Sequence, residues 1–211
     1  CFMFPERLEV ISDIANLYSA QPVFKEQVAI CIQQLLEEHG IDLRGLFAID
    51  ASAATDITAK FHEVAQLYAF ISTYALAKQW LDWGVQPDVM FGHGVGEYVA
   101  ACLARVFSLA DALLIIAKRQ TLMLQVINSD ACDTLTDIQA GQTEFLQGIT
   151  FNTPNMPFIS NLSGQWITNT QATSPKYWAA YMQSTAVSPA TIQILNTNGV
   201  AACVELGLVI I

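Results

Sequence analysis

Positive charge is scarce in this chain of 211 residues. Nine Lys and Arg stand against 19 Asp and Glu, a formal net charge of −10. No basic run exists, which excludes nucleic acid and anionic membrane surfaces as expected partners. Charged residues of either sign reach only 13%, while hydrophobic residues make up 53%. Such a chain either buries a large core or carries apolar surface that neighbouring domains cover. A long uninterrupted apolar run is also missing. The most apolar stretch, Val99 to Ala117, is broken by Arg105 and Asp111 and does not read as a membrane span. No signal peptide is recognisable. The five cysteines are odd in number and show no C-x-x-C spacing, which favours neither a disulfide framework nor a zinc site and fits a reducing cytoplasm. No cofactor is called for. Histidines number only three, His39, His62 and His93, and no glycine precedes Gly40. The chain opens on Cys1 rather than Met, as expected for a piece of a longer protein.

What is present has the rhythm of an α/β domain. Phe2-Met3-Phe4 reads as a short buried strand, and Phe24 to Glu38 as a helix closed by His39-Gly40. Phe61 to Trp83 has helical periodicity, with Leu67, Phe70, Ile71 and Tyr74 on one face and a stop at Gly84. Val89-Met90-Phe91 is then a strand and Gly96 to Ala104 a helix. Ser108-Leu109-Ala110-Asp111 reads as a capping box that starts a helix reaching about Leu124. Val126 to Gly148 is polar and is expected to be loop plus one short helix. Strands follow at Pro157 to Asn161 and at Gln165 to Thr168. Ser174-Pro175 opens a helix through Met182, Pro189 to Asn198 is a last helix, and Val200 to Leu206 a last strand. No internal repeat, low-complexity tract or linker interrupts this order, so one domain spanning residues 1–211 is expected.

The segment Met90-Phe91-Gly92-His93-Gly94-Val95-Gly96-Glu97 stands out. A nucleophile elbow places its reactive residue on a sharp strand-to-helix turn, with small residues two positions before and after so that the turn closes. Gly92 and Gly96 supply those positions around Gly94. The helix N-terminus behind such a turn offers free N–H groups to an oxyanion. On these few residues alone, an ordinary glycine-rich strand-to-helix turn is an equally good reading.

A longer set of motifs decides between the two. Tyr74-Ala75-Leu76-Ala77, Trp80, Trp83-Gly84, Pro87-Asp88, Gly92-His93 and the run Val95 to Ala104 closely resemble the acyltransferase domains of modular polyketide synthases. So do Phe107-Ser108-Leu109, Asp111-Ala112-Leu113 and Pro157 to Gly164, and the resemblance extends from Phe2 to Gly207. Those domains are related to malonyl-CoA:acyl-carrier-protein transacylases, which load a malonyl-type unit onto a serine and pass it to a carrier protein's thiol. The resemblance implies an α/β-hydrolase-like core with a short parallel sheet flanked by helices. The interval from Arg119 to Asn161 is far shorter than in active relatives, which implies that their ferredoxin-like small subdomain is deleted.

Position by position, the resemblance implies lost chemistry. The family's nucleophilic serine corresponds to Gly94, which has no attacking atom, and in serine hydrolases that loss costs on the order of a millionfold. His93 matches the elbow histidine, which in the family contacts substrate rather than acting as base. The family's catalytic histidine has no counterpart here. Where the family's first strand runs into a Gly-Gln-Gly oxyanion segment, this chain has Pro5-Glu6-Arg7-Leu8-Glu9, and its ending Glu205-Leu206-Gly207-Leu208 lacks the family's Pro-Gly. Arg119 matches the arginine that pairs with the extender unit's carboxylate. Its alternative role is that of a helix arginine bonded to a local carboxylate or to C-terminal carbonyls. Gln66 also falls on a family-matched position. Cys102, as a substitute nucleophile, is disfavoured by its place in the middle of an apolar helix.

The expected function is therefore a vestigial, catalytically inactive acyltransferase-like domain of a polyketide synthase. It would act as a structural or docking element toward neighbouring domains or a trans-acting acyltransferase. The negative charge argues against docking acidic carrier proteins. The alternatives are an active transferase of malonyl-type units from CoA to acyl carrier protein, and a residual acyl-CoA-binding module.

Overall fold

Three apolar residues, Phe2–Phe4, form β1, an interior strand of a five-stranded sheet. In the computed structural model, which describes residues 1–5, 11–47, 61–128, 142–183 and 190–207, the sheet has the order β4-β3-β2-β1-β5. Its other strands are β2 (Met90–Gly92), β3 (Phe158–Ser160), β4 (Gln165–Trp166) and β5 (Val204–Glu205). The pairs β1/β2, β1/β5 and β2/β3 are parallel, with Phe2 opposite Met90 and Met90 opposite Phe158. Only β4 runs antiparallel, at one edge, where the turn at 161–164 reverses the chain.

The helices are α1 (Ile11–Ala20), α2 (Pro22–His39), α3 (Phe61–Asp82), α4 (Val95–Leu103) and α5 (Leu109–Asn128). A short turn of helix, α6, covers 142–147. After the first sheet edge come α7 (Asn169–Ala172), α8 (Pro175–Gln183) and α9 (Ala190–Thr197). Pro22 at the first position of α2 needs no hydrogen bond of its own, and the Phe24 N–H there is accepted by the Gln79 side chain of α3 at 3.1 Å. At the other end Gly40 takes the left-handed cap, φ 66°. The capping box expected at Ser108 forms in half: Ser108 Oγ accepts the Asp111 N–H at 3.0 Å, while the Asp111 carboxylate accepts the Ser108 hydroxyl at 2.6 Å and not its backbone N–H.

Alternation along the strands divides the interior into two unequal layers. Phe2, Phe4, Met90 and Phe158 face the large core built with α2, α3, α4 and α5. Val89, Phe91, Ile159 and Leu195 form a small second layer beneath α9, joined by Met3 and Trp166. Sheet with helices on both faces is the α/β arrangement that the alternation of elements implied. Among the described residues no helix is long and apolar enough to cross a membrane.

Several boundaries differ from expectation, each for a local reason. α1 has no counterpart in the sequence pattern. α5 runs on to Asn128, past Leu124, because Gln125 and Asn128 do not break a helix already propagating. The strand expected to reach Thr168 stops at Trp166, since Thr168 is the N-cap of α7, exchanging hydrogen bonds with Gln171 in a complete capping box. β5 is confined to Val204–Glu205. No strand lies among the described residues between α5 and β3, the interval where the resemblance places the small subdomain. The Pro5 to Glu9 loop beyond Pro5, most of the polar stretch at 129–141, Pro189 and Leu208 lie outside the described residues.

Candidate functional site

β2 and α4 meet in a turn so tight that side chains are excluded on two sides. A Cβ added to Gly92 would fall 2.1 Å from the Gly96 carbonyl carbon, and one added to Gly96 would fall 2.2 Å from the Phe4 carbonyl oxygen. Both contacts are with backbone and neither can yield. Between them Gly94 sits as N-cap of α4 with φ 51° and ψ −112°, a combination that side-chain-bearing residues adopt only under strain. The elbow geometry is therefore present at Gly94 without a reactive atom. The His93 N–H donates to the Phe4 carbonyl at 3.0 Å, stitching the turn to β1, and its ring meets Phe91 edge-on at 4.4 Å. The site lies at the carboxyl ends of the parallel strands, where open α/β sheets place their ligands.

Beneath the elbow lies a buried polar network. Glu97, in the first turn of α4, has no exposed surface. Its Oε2 accepts the Asn161 N–H at 2.7 Å and its Oε1 accepts the Tyr177 hydroxyl at 2.5 Å. Tyr177 in turn meets Ser160 Oγ at 2.6 Å. Tyr181, one turn along α8, donates to the Gly94 carbonyl at 3.0 Å. Burial pushes the Glu97 carboxyl up to about 7, against the hydrogen bonds from Tyr177, Asn161 and Tyr181 that favour its charged form. The same burial raises Tyr177 and Tyr181, reinforced by the neighbouring carboxylate. Trp178 anchors α8 from the other side, donating its indole N–H to the Ala172 carbonyl at 2.8 Å and packing on Tyr98 and Phe107. Sequence reasoning singled out none of Glu97, Tyr177 and Tyr181 as site residues. They join across 80 and 87 positions of chain, which no local pattern encodes.

Arg119 and Gln66, distant in sequence, are brought together. Arg119 is 1% exposed, and its Nη1 donates to Gln66 Oε1 at 2.6 Å. The Gln66 N–H donates to Gln120 Oε1 at 3.0 Å, so α3 and α5 are tied at this level. Arg119 Nε and Nη2 are buried with no hydrogen-bond partner among the described residues, and no ion pair to a carboxylate is found there. The guanidinium lies near enough to Tyr98 and Tyr181 to favour their ionised forms, which places it close to the elbow. A buried guanidinium with two free donors is a fitting partner for a planar carboxylate.

His39 ends α2 and stands 3.8 Å from Glu38, and the His62 side chain lies outside the described residues. Cys102 is buried on α4, its thiol pushed up to about 12 by burial, although Lys78 nearby opposes the shift. A thiol held neutral in this way is no nucleophile. Among the described residues no three His, Cys, Asp or Glu side chains cluster as metal ligands.

A family model described as the acyl transferase domain matches residues 15–142. The non-reducing polyketide synthase hmp3 of Hypomyces subiculosus is 38% identical over 121 residues, which make up 57% of this chain and 6% of that protein. The acyl transferase domain of ZmaA superposes with a TM-score of 0.83 at 24% identity, covering 99% of this chain and 63% of that one. The acyl transferase domain of SpnD, solved in complex with 2-(pent-4-yn-1-yl)malonyl, superposes with a TM-score of 0.77 at 25% identity over 98% and 64% of the two chains. The chain thus spans under two thirds of both solved domains and a small fraction of the synthase.

Proposed function

We propose that this chain, which belongs to the acyl transferase domain family, is a non-catalytic acyltransferase-like domain of a polyketide synthase, serving as a structural or docking element. The observation that carries this reading is Gly94: the elbow residue keeps the strained backbone, φ 51°, and has no side chain to acylate. The absence of a histidine matching the family's base, and the short interval from Arg119 to Asn161, support it. So does surface composition, since Trp83 is 51% exposed and Ile30, Leu36 and Leu162 are also exposed. Neighbouring synthase domains are the partners this surface fits, with a trans-acting acyltransferase as a further candidate. The cytoplasm is the location that this reading fits.

Intact-mass measurement after incubation with malonyl-CoA tests the reading. No mass increase is expected, and a stable malonyl adduct would overturn it in favour of an active transferase.

Arg119 supports a second reading, that of a module binding malonyl-type carboxylates without reacting, because its Nε and Nη2 are buried and lack partners among the described residues. Calorimetry with malonyl-CoA is expected to show binding that Arg119→Lys weakens about tenfold, since a lysine cannot reproduce the two parallel hydrogen bonds. Absence of heat on titration removes this second reading and leaves the first standing.

A further inference from the structure

At the far end of α4 from the elbow, a cavity of about 370 Å³ opens between α3, α4 and the start of α5. Its walls include Tyr74, Lys78, Arg105, Phe107, Leu109 and Asn152. One helix length separates it from Gly94, about 13 Å at 1.5 Å per residue. Two of the nine cationic side chains of a strongly acidic protein converge here. Neither Lys78 nor Arg105 forms an ion pair among the described residues.

Arg105 is also the one non-glycine residue among those described that holds a positive φ, 61°. It occupies the position just past α4 where the Arg105 N–H meets the Cys102 carbonyl at 3.0 Å and the Val106 N–H meets the Ala101 carbonyl at 2.9 Å. Helices that end this way ordinarily place glycine there, so folding alone favours Gly over Arg. A strained residue kept at such a position points to a demand other than stability.

A second, independent observation comes from Tyr74. It is 9% exposed and it borders the cavity. A tyrosine hydroxyl at the wall of a cavity is a neutral donor for a bound oxyanion. The N-terminus of the 20-residue helix α5 adds the Leu109 N–H and the positive end of a long dipole. Asp111, the nearby carboxylate, is engaged in its own cap, accepting the Ser108 hydroxyl at 2.6 Å.

Two cations, a neutral donor and a helix N-terminus make a donor-rich set that suits a doubly charged oxyanion. Phe107 and Leu109 line the remaining wall with apolar surface. We propose that this cavity binds a phosphate monoester, the phosphoryl group held by Lys78, Arg105 and Tyr74 and the organic part against Phe107. A monocarboxylate would leave one cation unmatched, and a bare phosphate would leave the apolar wall empty.

Calorimetry on the whole chain tests this with adenosine 5′-monophosphate, inorganic phosphate and succinate as probes. Saturable binding is expected, tightest for the monophosphate and weakened by added salt. Lys78→Gln and Arg105→Gly are each expected to lower its affinity about tenfold, and Tyr74→Phe about threefold. Arg105→Gly is expected to raise Tm at the same time, so a loss of binding in that variant cannot be attributed to unfolding. No saturable binding at millimolar monophosphate, or binding indifferent to both cation substitutions, would overturn the proposal. Equal affinity for succinate would overturn the assignment to phosphate, and equal affinity for inorganic phosphate the assignment to a monoester.

Discussion

The two ends of α4 both hold a positive φ but meet it with different residues. At its start, where the family resemblance implies a strained serine, Gly94 holds φ 51°. At its end, where a helix of this kind ordinarily relaxes onto glycine, Arg105 holds φ 61°. Strain has been relieved where the family's chemistry would have used it and retained where the fold has no use for it. The comparison separates the geometry of an elbow from its activity: the first rests on Gly92 and Gly96 and their contacts with backbone, the second on a side chain that is gone.

The largest effect is expected at the glycine that permits the turn. In Gly96→Ala the new methyl would meet the Phe4 carbonyl oxygen at 2.2 Å and the Phe4 carbonyl carbon at 2.8 Å. Chemical denaturation should show a loss of about 4 kcal/mol or more, or no folded protein at all. A well-folded Gly96→Ala with unchanged midpoint would mean that β1 and α4 are not in contact as described.

Glu97 comes next, because it ties the elbow helix to β3 and α8. Glu97→Ala removes the carboxylate that accepts from the Tyr177 hydroxyl and the Asn161 N–H and leaves a void in the interior, and a loss of about 3 kcal/mol is expected. The carboxyl also predicts a pH dependence. Its folded value, about 7, lies above its ordinary 4.5. Between those values the unfolded chain has released the proton that the folded chain still holds. Stability from this group is therefore complete below about pH 4.5 and is lost as pH rises through about 7, by on the order of 3 kcal/mol. Urea midpoints of the wild type and Glu97→Gln, compared at pH 5 and pH 8, isolate that loss. Parallel midpoints would show that the carboxylate is already ionised in the folded state.

How much of this was legible in the sequence follows from how locally each feature is encoded. The elbow was visible because a strand, three glycines and a helix lie within a dozen residues. The caps at Gly40 and Ser108 are equally local, although at Ser108 only the hydroxyl half of the expected box forms. Arg119 and Gln66 were reached through the family resemblance, and the 2.6 Å hydrogen bond that joins α5 to α3 through them is a product of packing alone. Tyr177 and Tyr181 fall within the helix expected through Met182, and nothing near them indicates that Glu97 is their partner. Thr168 was misassigned to a strand because threonine serves strands and N-caps alike, and only Gln171 three residues on distinguishes the two. Arg105 left no trace, since a positive φ at a non-glycine residue is imposed by its surroundings and not by its own preference.

Substitutions at the two ends of α4 should shift stability in opposite directions. Gly94→Ser restores the family's residue and with it the strain, so a loss of about 1 to 2 kcal/mol is expected, and no malonyl adduct, because the sequence holds no counterpart of the family's catalytic histidine to accept the serine proton. An adduct in the intact-mass spectrum of this single variant would mean that a base has been overlooked.

Arg105→Gly is the smallest and most diagnostic change. It removes a Cβ from a left-handed position whose two cap hydrogen bonds are made by backbone and persist in the variant. Its guanidinium is exposed and forms no ion pair among the described residues, so little electrostatic stabilisation is lost with it. Glycine's greater freedom in the unfolded chain offsets part of the gain, and relief of the left-handed penalty supplies the rest, for a net stabilisation of about 0.5 to 1 kcal/mol. Thermal and urea denaturation of Arg105→Gly and Gly94→Ser, run side by side, should therefore move apart around the wild type. If both variants are destabilised, Arg105 is held by contacts that favour folding, and the contrast between the two ends of α4 does not stand.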